Sequence, residues 1–226
     1  MLDDLGLYRL MTWLSPSFPV GAYTYLHGLE WAVETGAVHD RLTLMDWVEG
    51  VLLHGAGRTD ADLFRAGHGA VGVALDTVVE VADALRGTAE LAMESANQGR
   101  AFLTAVTASW PHPRLDDLAA RCRALERPPS YPVAVAVAAS AHGVPLEPAL
   151  TAYLHALAAN LVSAAVRLVP LGQTDGQKAQ AALAATVHEA ASAALVRDWE
   201  DLGAAAPVVD LFSMFHETQY TRLFRS

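Results

Sequence analysis

Apolar positions recur along this chain with helical spacing. Between 147 and 169, Leu150, Leu154, Leu157, Leu161, Val162, Val166 and Val169 spread over more than half of a helical circumference. A helix apolar nearly all round is a buried one, so this segment is expected at the centre of the molecule. Asn160, Ser163 and Arg167 share one face of it at i, i+3 and i+7. Buried polar groups need partners, so Arg167 is expected to pair with a carboxylate inside the bundle or at an interface. Strand-like alternation is scarce. The best instance, Pro132-Val-Ala-Val-Ala-Val-Ala-Ala-Ser-Ala141, alternates only Val with Ala and runs on into small residues. It reads as a buried helix.

Breakers divide the rest. Ser15-Pro-Ser-Phe-Pro19 ends a first helix near residue 14, because proline and the residue before it resist helical continuation. A second helix is predicted from about Ala22 to Thr35, stopped by Gly36. Thr43 is a candidate N-cap for a third. Thr59-Asp-Ala-Asp62 places acids in the first turn of a fourth, where the helix dipole favours them. A break at Asp76 and Gly87 precedes a long helix over 88–109, and loops follow at Trp110-Pro-His-Pro113 and Arg127-Pro-Pro-Ser130. Further helices are predicted at 131–142, 147–169, 177–200 and 208–220. No repeat or domain-separating linker is visible. The predicted fold is all-α: one domain over 1–226, a bundle of about nine or ten helices packed ridge into groove.

Composition narrows the function classes. The 226 residues carry a formal net charge of −10 and only 18% charged residues against 53% hydrophobic ones. An acidic chain without a basic stripe is not a nucleic-acid binder. Lys178 is the only lysine, and the single cysteine, Cys122, excludes an intrachain disulfide and a cysteine-cluster metal site. Arg121 and Arg123 flank Cys122 and could lower its pKa. The apolar run from Ala149 to Leu171 contains His155, Asn160 and Arg167, which are costly at bilayer depth, so no membrane span is predicted. The start, Met-Leu-Asp-Asp, shows no signal peptide, and a cytoplasmic location is expected.

Candidate chemistry is thin. Tyr23, His27, Glu30 and Glu34 fall on one face if residues 22–35 form a helix. A histidine and a carboxylate three apart can co-ligate a metal, but two ligands make no site. Capping, packing or interface contacts are the preferred reading. His216-Glu-Thr-Gln-Tyr220 lacks the second histidine of a zinc-protease helix. Gly172-Gln-Thr-Asp-Gly-Gln-Lys178 has the wrong spacing for a phosphate loop and reads as a turn between helices, with more polar density than a plain turn needs. No catalytic constellation and no metal site are predicted, which argues against an enzyme. The tail over 213–226 differs from an ordinary terminus. Met214, Phe215, Tyr220, Leu223 and Phe224 alternate with Arg222 and Arg225, residue types that anchor protein contacts. It is either a helix docked on its own domain or a partner-docking tail.

Three segments together resemble the UreF family of urease accessory proteins. They are Trp13-Leu-Ser-Pro-Ser-Phe-Pro-Val-Gly-Ala-Tyr-Thr-Tyr-Leu-His-Gly-Leu-Glu30, Arg167-Leu-Val-Pro-Leu-Gly-Gln-Thr-Asp-Gly-Gln-Lys178, and Met214-Phe-His-Glu-Thr-Gln-Tyr-Thr-Arg-Leu-Phe-Arg-Ser226. They stand in the family's order and at its distances; residues 36–150 match only in helical character. The resemblance implies an all-α homodimer without catalytic activity or a stably bound cofactor. It implies binding to UreD (also called UreH), to the GTPase UreG and to urease apoprotein, in a complex that handles nickel and inserts it at the urease active site. It places Tyr23 and Tyr25, in the Gly21-Ala-Tyr-Thr-Tyr25 stretch, at the surface that recruits the GTPase, with His27 and Glu30 also among the partner-binding residues. Gln173, Asp175, Gln177 and Lys178 fall in a turn that controls it. His216, Glu217, Tyr220, Arg222 and Arg225 fall in the docking tail. Leu26 departs from the small polar residue common in relatives. The alternative reading is a nickel-carrying metallochaperone with its own weak site of histidine and carboxylate.

Overall fold

The computed structural model describes residues 1–22 and 25–224. In chain order its α-helices are α1 (Asp4–Trp13), α2 (Leu29–Glu34), α3 (Arg41–Leu53), α4 (Ala56–Gly69), α5 (Val73–Ala84), α6 (Ala89–Ser109), α7 (Pro113–Ala124), α8 (Tyr131–Ala141), α9 (Leu146–Leu168), α10 (Gln173–Ala182), α11 (Ala184–Val196) and α12 (Pro207–His216). No strand occurs among the described residues. The all-α expectation holds.

Local chemistry sets the helix starts. Asp3 caps α1 by accepting from the Gly6 amide at 2.7 Å. At α3 the cap is Asp40 and not Thr43. Asp40 Oδ1 accepts from the Thr43 amide at 2.8 Å, and the Thr43 hydroxyl accepts from the Asp40 amide at 3.1 Å, a reciprocal capping box. Thr88 caps α6, and prolines stand in the first turns of α7, α8 and α12, where their missing N–H costs nothing.

The alternating Val-Ala segment forms α8, the most enclosed helix: every residue from Pro132 to Ala139 is buried. Its small side chains let α4 and α6 approach closely. The α6 contact goes through Gly99, where any Cβ would collide with the Pro129 carbonyl. α9 packs against α2, α3, α4, α8, α10 and α11. It is long and apolar enough to span a membrane by length and composition, yet half of its apolar window is buried in the domain. Its Ser163 and Arg167 are exposed, so α9 borders the core on one side and solvent on the other.

Some boundaries depart from the sequence pattern. α2 begins only at Leu29, because Tyr25 and Leu26 are not helical and the chain turns at His27 (φ 53°) and Gly28 (φ 74°). α5 passes straight through Asp76, and the break falls at 85–88. The polar segment from Gln173 to Lys178 is not a connecting turn; it is the first half of α10. The expected long helix over 177–200 is replaced by α10 and α11, divided at Leu183.

Aromatic packing fixes the first loop. Trp13 is fully buried and meets Phe102, Trp110 and His142 edge-on or tilted at 5.6–6.2 Å, while Phe18 stacks near Phe102 at 5.4 Å. The Ser15–Pro19 turn is therefore pinned to α6, and the segment after it is delivered to α9.

Candidate functional site

Three sequence segments far apart in the chain converge on one region. Asn160 in the middle of α9 donates from Nδ2 to the carbonyl of Ala22 at 2.7 Å and to that of Tyr25 at 3.1 Å. A side-chain amide thus satisfies two carbonyls that no helix serves. Two turns further along α9, Arg167 places its guanidinium 5.7 Å from the centre of the Phe224 ring. The tail returns to α2 as well: Glu30 accepts from the amides of Leu223 at 2.7 Å and Phe224 at 3.0 Å. Arg167 donates to the Ser163 carbonyl of its own helix. The expected buried carboxylate partner is not what this exposed arginine meets; it covers an aromatic of the tail.

Beneath this junction lies a cavity of about 240 Å³ with a mainly apolar lining, to which His27, Asp60, Arg86, Glu94, Gln98, Tyr131, Tyr153 and Asn160 add polar groups, and which reaches Arg167. A second cavity of about 220 Å³ shares Ser163 and Arg167 with it and is walled by Gln173, Gly176 and Gln177 of α10. Asp60 anchors the wall. It accepts from Arg86 Nη1 at 2.7 Å and from the Tyr153 hydroxyl at 2.7 Å. Burial, reinforced by the Asp60 charge, pushes the Tyr153 and Tyr131 phenols upward. The expected placement of Asp60 and Asp62 in the first turn of α4 does not occur, because the helix already begins at Ala56; Asp62 is buried and pairs with Arg197 at 2.6 Å. His27 Nε2 lies 3.4 Å from Glu94 Oε1, and Gln98 donates to the same oxygen at 3.1 Å. Burial alone would lower the His27 imidazole; the charge and hydrogen bond of Glu94 outweigh it and raise it. His27 Nδ1 and Arg86 Nη2, both buried, have no hydrogen-bond partner among the described residues.

His216 is the hub of the tail. It is completely buried. Nδ1 lies 3.0 Å from both carboxylate oxygens of Glu90, and Nε2 lies 3.2 Å from Glu30 Oε2. Arg222 donates to Glu90 at 3.3 Å. One turn earlier, Ser213 is also fully buried and shares a 2.8 Å hydrogen bond with the Thr88 hydroxyl.

The site residues expected from sequence divide sharply. Tyr25, His27, Glu30 and His216 are buried, so in this conformation they shape a surface without forming it. Gln173, Gln177, Lys178, Glu217, Tyr220 and Arg222 are exposed, and Asp175 is half-buried and within 3.4 Å of the Lys178 ammonium. Tyr23 and Arg225 lie outside the described residues. The helical face proposed for Tyr23, His27, Glu30 and Glu34 does not form, since α2 starts after His27. Glu30 instead binds the tail and His27 binds Glu94. Among the described residues no group of three or more histidine, cysteine or acidic side chains is placed to hold a metal ion. Cys122 is buried and its thiol is pushed up to about 11, with burial outweighing Arg123. The expected lowering does not occur.

Sequence reasoning missed Asp60, Arg86, Glu90, Glu94 and Tyr153. One signal was available for two of them. Glu90, Glu94 and Gln98 recur at i, i+4 and i+8 on α6, all buried, a polar stripe on a helix face that the core would otherwise claim.

Flanking the junction, α12 exposes Val208, Leu211, Met214 and Phe215, followed by Tyr220 and Leu223, and α1 exposes Leu5, Tyr8 and Met11. Singly exposed apolar residues are ordinary; rows of them on helix faces mark interaction surfaces.

The UreF family model matches residues 38–184. The chain is 51% identical over 227 residues to the urease accessory protein UreF of Granulibacter bethesdensis, covering 99% of this chain and 95% of that protein. It is 48% identical over 228 residues to the UreF of Bradyrhizobium diazoefficiens, covering 99% and 93%. It is 48% identical over 225 residues to the UreF of Rhodopseudomonas palustris, covering 98% and 93%.

Proposed function

Since the chain belongs to the UreF family of urease accessory proteins and acts in urease maturation, we propose that it does so as a non-catalytic scaffold. In this reading it bridges UreD (UreH) and the GTPase UreG on urease apoprotein. It biases the GTPase between nucleotide states by binding one more tightly than the other.

The observation that carries the reading is the convergence at α9. Asn160 holds the carbonyls of Ala22 and Tyr25, Arg167 covers the tail, and Gln173 and Gln177 of α10 line a cavity together with Arg167. Parts of all three motifs thus meet at α9. The apolar rows on α12 and α1 offer the UreD-type partner a second face.

Nickel is cargo in this reading. The cavity between α4, α6 and α9 would pass the ion without holding it, because Asp60 and Glu94 are already engaged by Arg86, Tyr153, His27 and Gln98. The carrier alternative is less well supported, since Glu30 is occupied by His216 and the tail amides. The chain works as a homodimer in the cytoplasm, with α9 as a core helix.

Co-expression with UreD, UreG and urease apoprotein, followed by size-exclusion chromatography, tests the reading. Asn160→Ala and Lys178→Ala are expected to lose the GTPase from the complex while the chain stays helical. Undiminished recovery of the GTPase with both variants would overturn the assignment of this face.

A further inference from the structure

We propose that the C-terminal segment is held down by a proton-dependent latch, in which a doubly bonded His216 joins Glu30 of α2 to Glu90 of α6. The geometry requires a particular protonation state. Both ring nitrogens face carboxylate oxygens, Nδ1 at 3.0 Å from Glu90 and Nε2 at 3.2 Å from Glu30. A neutral imidazole has one N–H, so one nitrogen would present a lone pair to an anion. With the ring fully buried, water cannot relieve that repulsion. Only the imidazolium satisfies both sides.

The charges around the ring complete the case. α2 contributes Glu30, α6 contributes Glu90, and the tail contributes Arg222 at 3.3 Å from Glu90. The other acids of α6 and α12 around this turn are placed elsewhere: Glu94 pairs with His27, Asp210, near Gly87, is pushed up by its own burial, and Glu217 is exposed. With His216 protonated, two anions balance two cations. Without that proton, two buried carboxylates face one arginine. Burial would lower the imidazole, but Glu90 and then Glu30 outweigh it and hold it above the ordinary 6.5.

Glu30 is also the acceptor for the Leu223 and Phe224 amides, so the state of His216 is transmitted directly to the tail backbone. Because the latched value is raised, latching is complete below the free imidazole value and is lost as pH rises through the raised one. Between these limits the ratio of latched to open tail falls about tenfold per pH unit, one proton being coupled. Opening frees Phe224 from Arg167 and uncovers the buried face of the tail. The latch needs no partner and operates in the isolated chain.

The test uses the full chain labelled with ¹⁵N-phenylalanine and ¹³C-histidine, with the Phe224 signal assigned through Phe224→Leu. Spectra and amide exchange are followed from pH 5.5 to 9. The expected result is a His216 ring that titrates above 6.5, with Phe224 amide protection falling at the same midpoint. Glu90→Gln should move that midpoint down, and His216→Gln should abolish the step. Should His216→Gln fail to fold, Glu90→Gln and the wild-type titration decide alone. A Phe224 amide with no step above pH 6.5, or a midpoint unmoved by Glu90→Gln, overturns the latch.

Discussion

Gly28 lies directly against Ser213: a Cβ on Gly28 would fall 2.6 Å from the Ser213 amide nitrogen and 2.8 Å from the Phe212 carbonyl carbon. The same glycine has φ 74°. The turn into α2 is therefore shaped both by its own backbone and by α12 above it. Gly28→Ala is expected to cost about 1–2 kcal/mol from backbone conformation alone, and the collision with immovable backbone adds to that. α12 should lift, and thermal denaturation should show a lowered midpoint with faster amide exchange at Ser213. An unchanged midpoint would contradict this packing.

The Asp62–Arg197 pair gives a second prediction. The Asp62 side chain is 1% exposed and Arg197 is its ion-pair partner at 2.6 Å. Removing one member of a buried pair typically costs about 3–5 kcal/mol, because the other charge is left uncompensated. Arg197→Ala should show that loss in chemical denaturation, and adding Asp62→Asn should recover part of it. Burial already holds the Asp62 carboxyl above its ordinary 3.8 against the pull of Arg197. For a raised acid the folded state binds the proton more tightly, so stability falls as pH rises from 3.8 through the raised value. In Arg197→Ala that decline should extend to higher pH; identical pH profiles would rule it out.

Tyr153→Phe removes one hydroxyl that donates to the buried Asp60 carboxylate at 2.7 Å. Hydrogen bonds to charged groups are worth about 1.5–3 kcal/mol. Equilibrium unfolding should register a loss in that range, since the ring contacts with Phe64 and Tyr131 remain.

Truncation should distinguish the two parts of the C-terminal segment. Ending the chain after Asp210 removes Ser213 and His216, both fully buried, and strips Glu30 and Glu90 of their partner. That chain should lose cooperative thermal unfolding or melt many degrees lower. Ending it after Glu217 keeps both residues and removes only Arg222 from Glu90 and the Leu223 and Phe224 amides from Glu30, so its melting midpoint should fall much less than that of the shorter chain. Equal midpoints for the two truncations would mean that α12 is not part of the core.

Cys122 should be inert in the native chain. Its thiol, raised to about 11 by burial, holds little thiolate at pH 8, and the thiolate is the nucleophile. Labelling by a thiol-specific disulfide reagent should be slow until denaturant is added. Rapid labelling of the native chain would show the site to be open.

Helix content and the three motif segments were legible along the chain because both are local. The alternating Val-Ala segment is resolved as α8 by the small residues that follow it, and the apolar row of Leu150, Leu154, Leu157 and Leu161 marks α9. Boundaries governed by distant contacts were not legible. α2 starts late because Asn160, 135 residues away along the chain, holds the Tyr25 carbonyl. Arg167 meets an aromatic ring instead of a carboxylate because the tail comes back over α9.

By itself the sequence determined an all-helical chain, its breakpoints at proline and glycine, its lack of a local reactive motif and its membership of a family. These follow from backbone propensity and from the period of the apolar positions, which act over a few residues. Only the tertiary structure decided that Glu30, Glu90 and His216 are buried together, that Asp60 serves Arg86 and Tyr153, and that the tail closes on the first loop. Such groups are paired across 26 to 194 residues of chain. Their partners are selected by the need to satisfy every buried charge within one packed core, a condition that no local stretch of sequence carries.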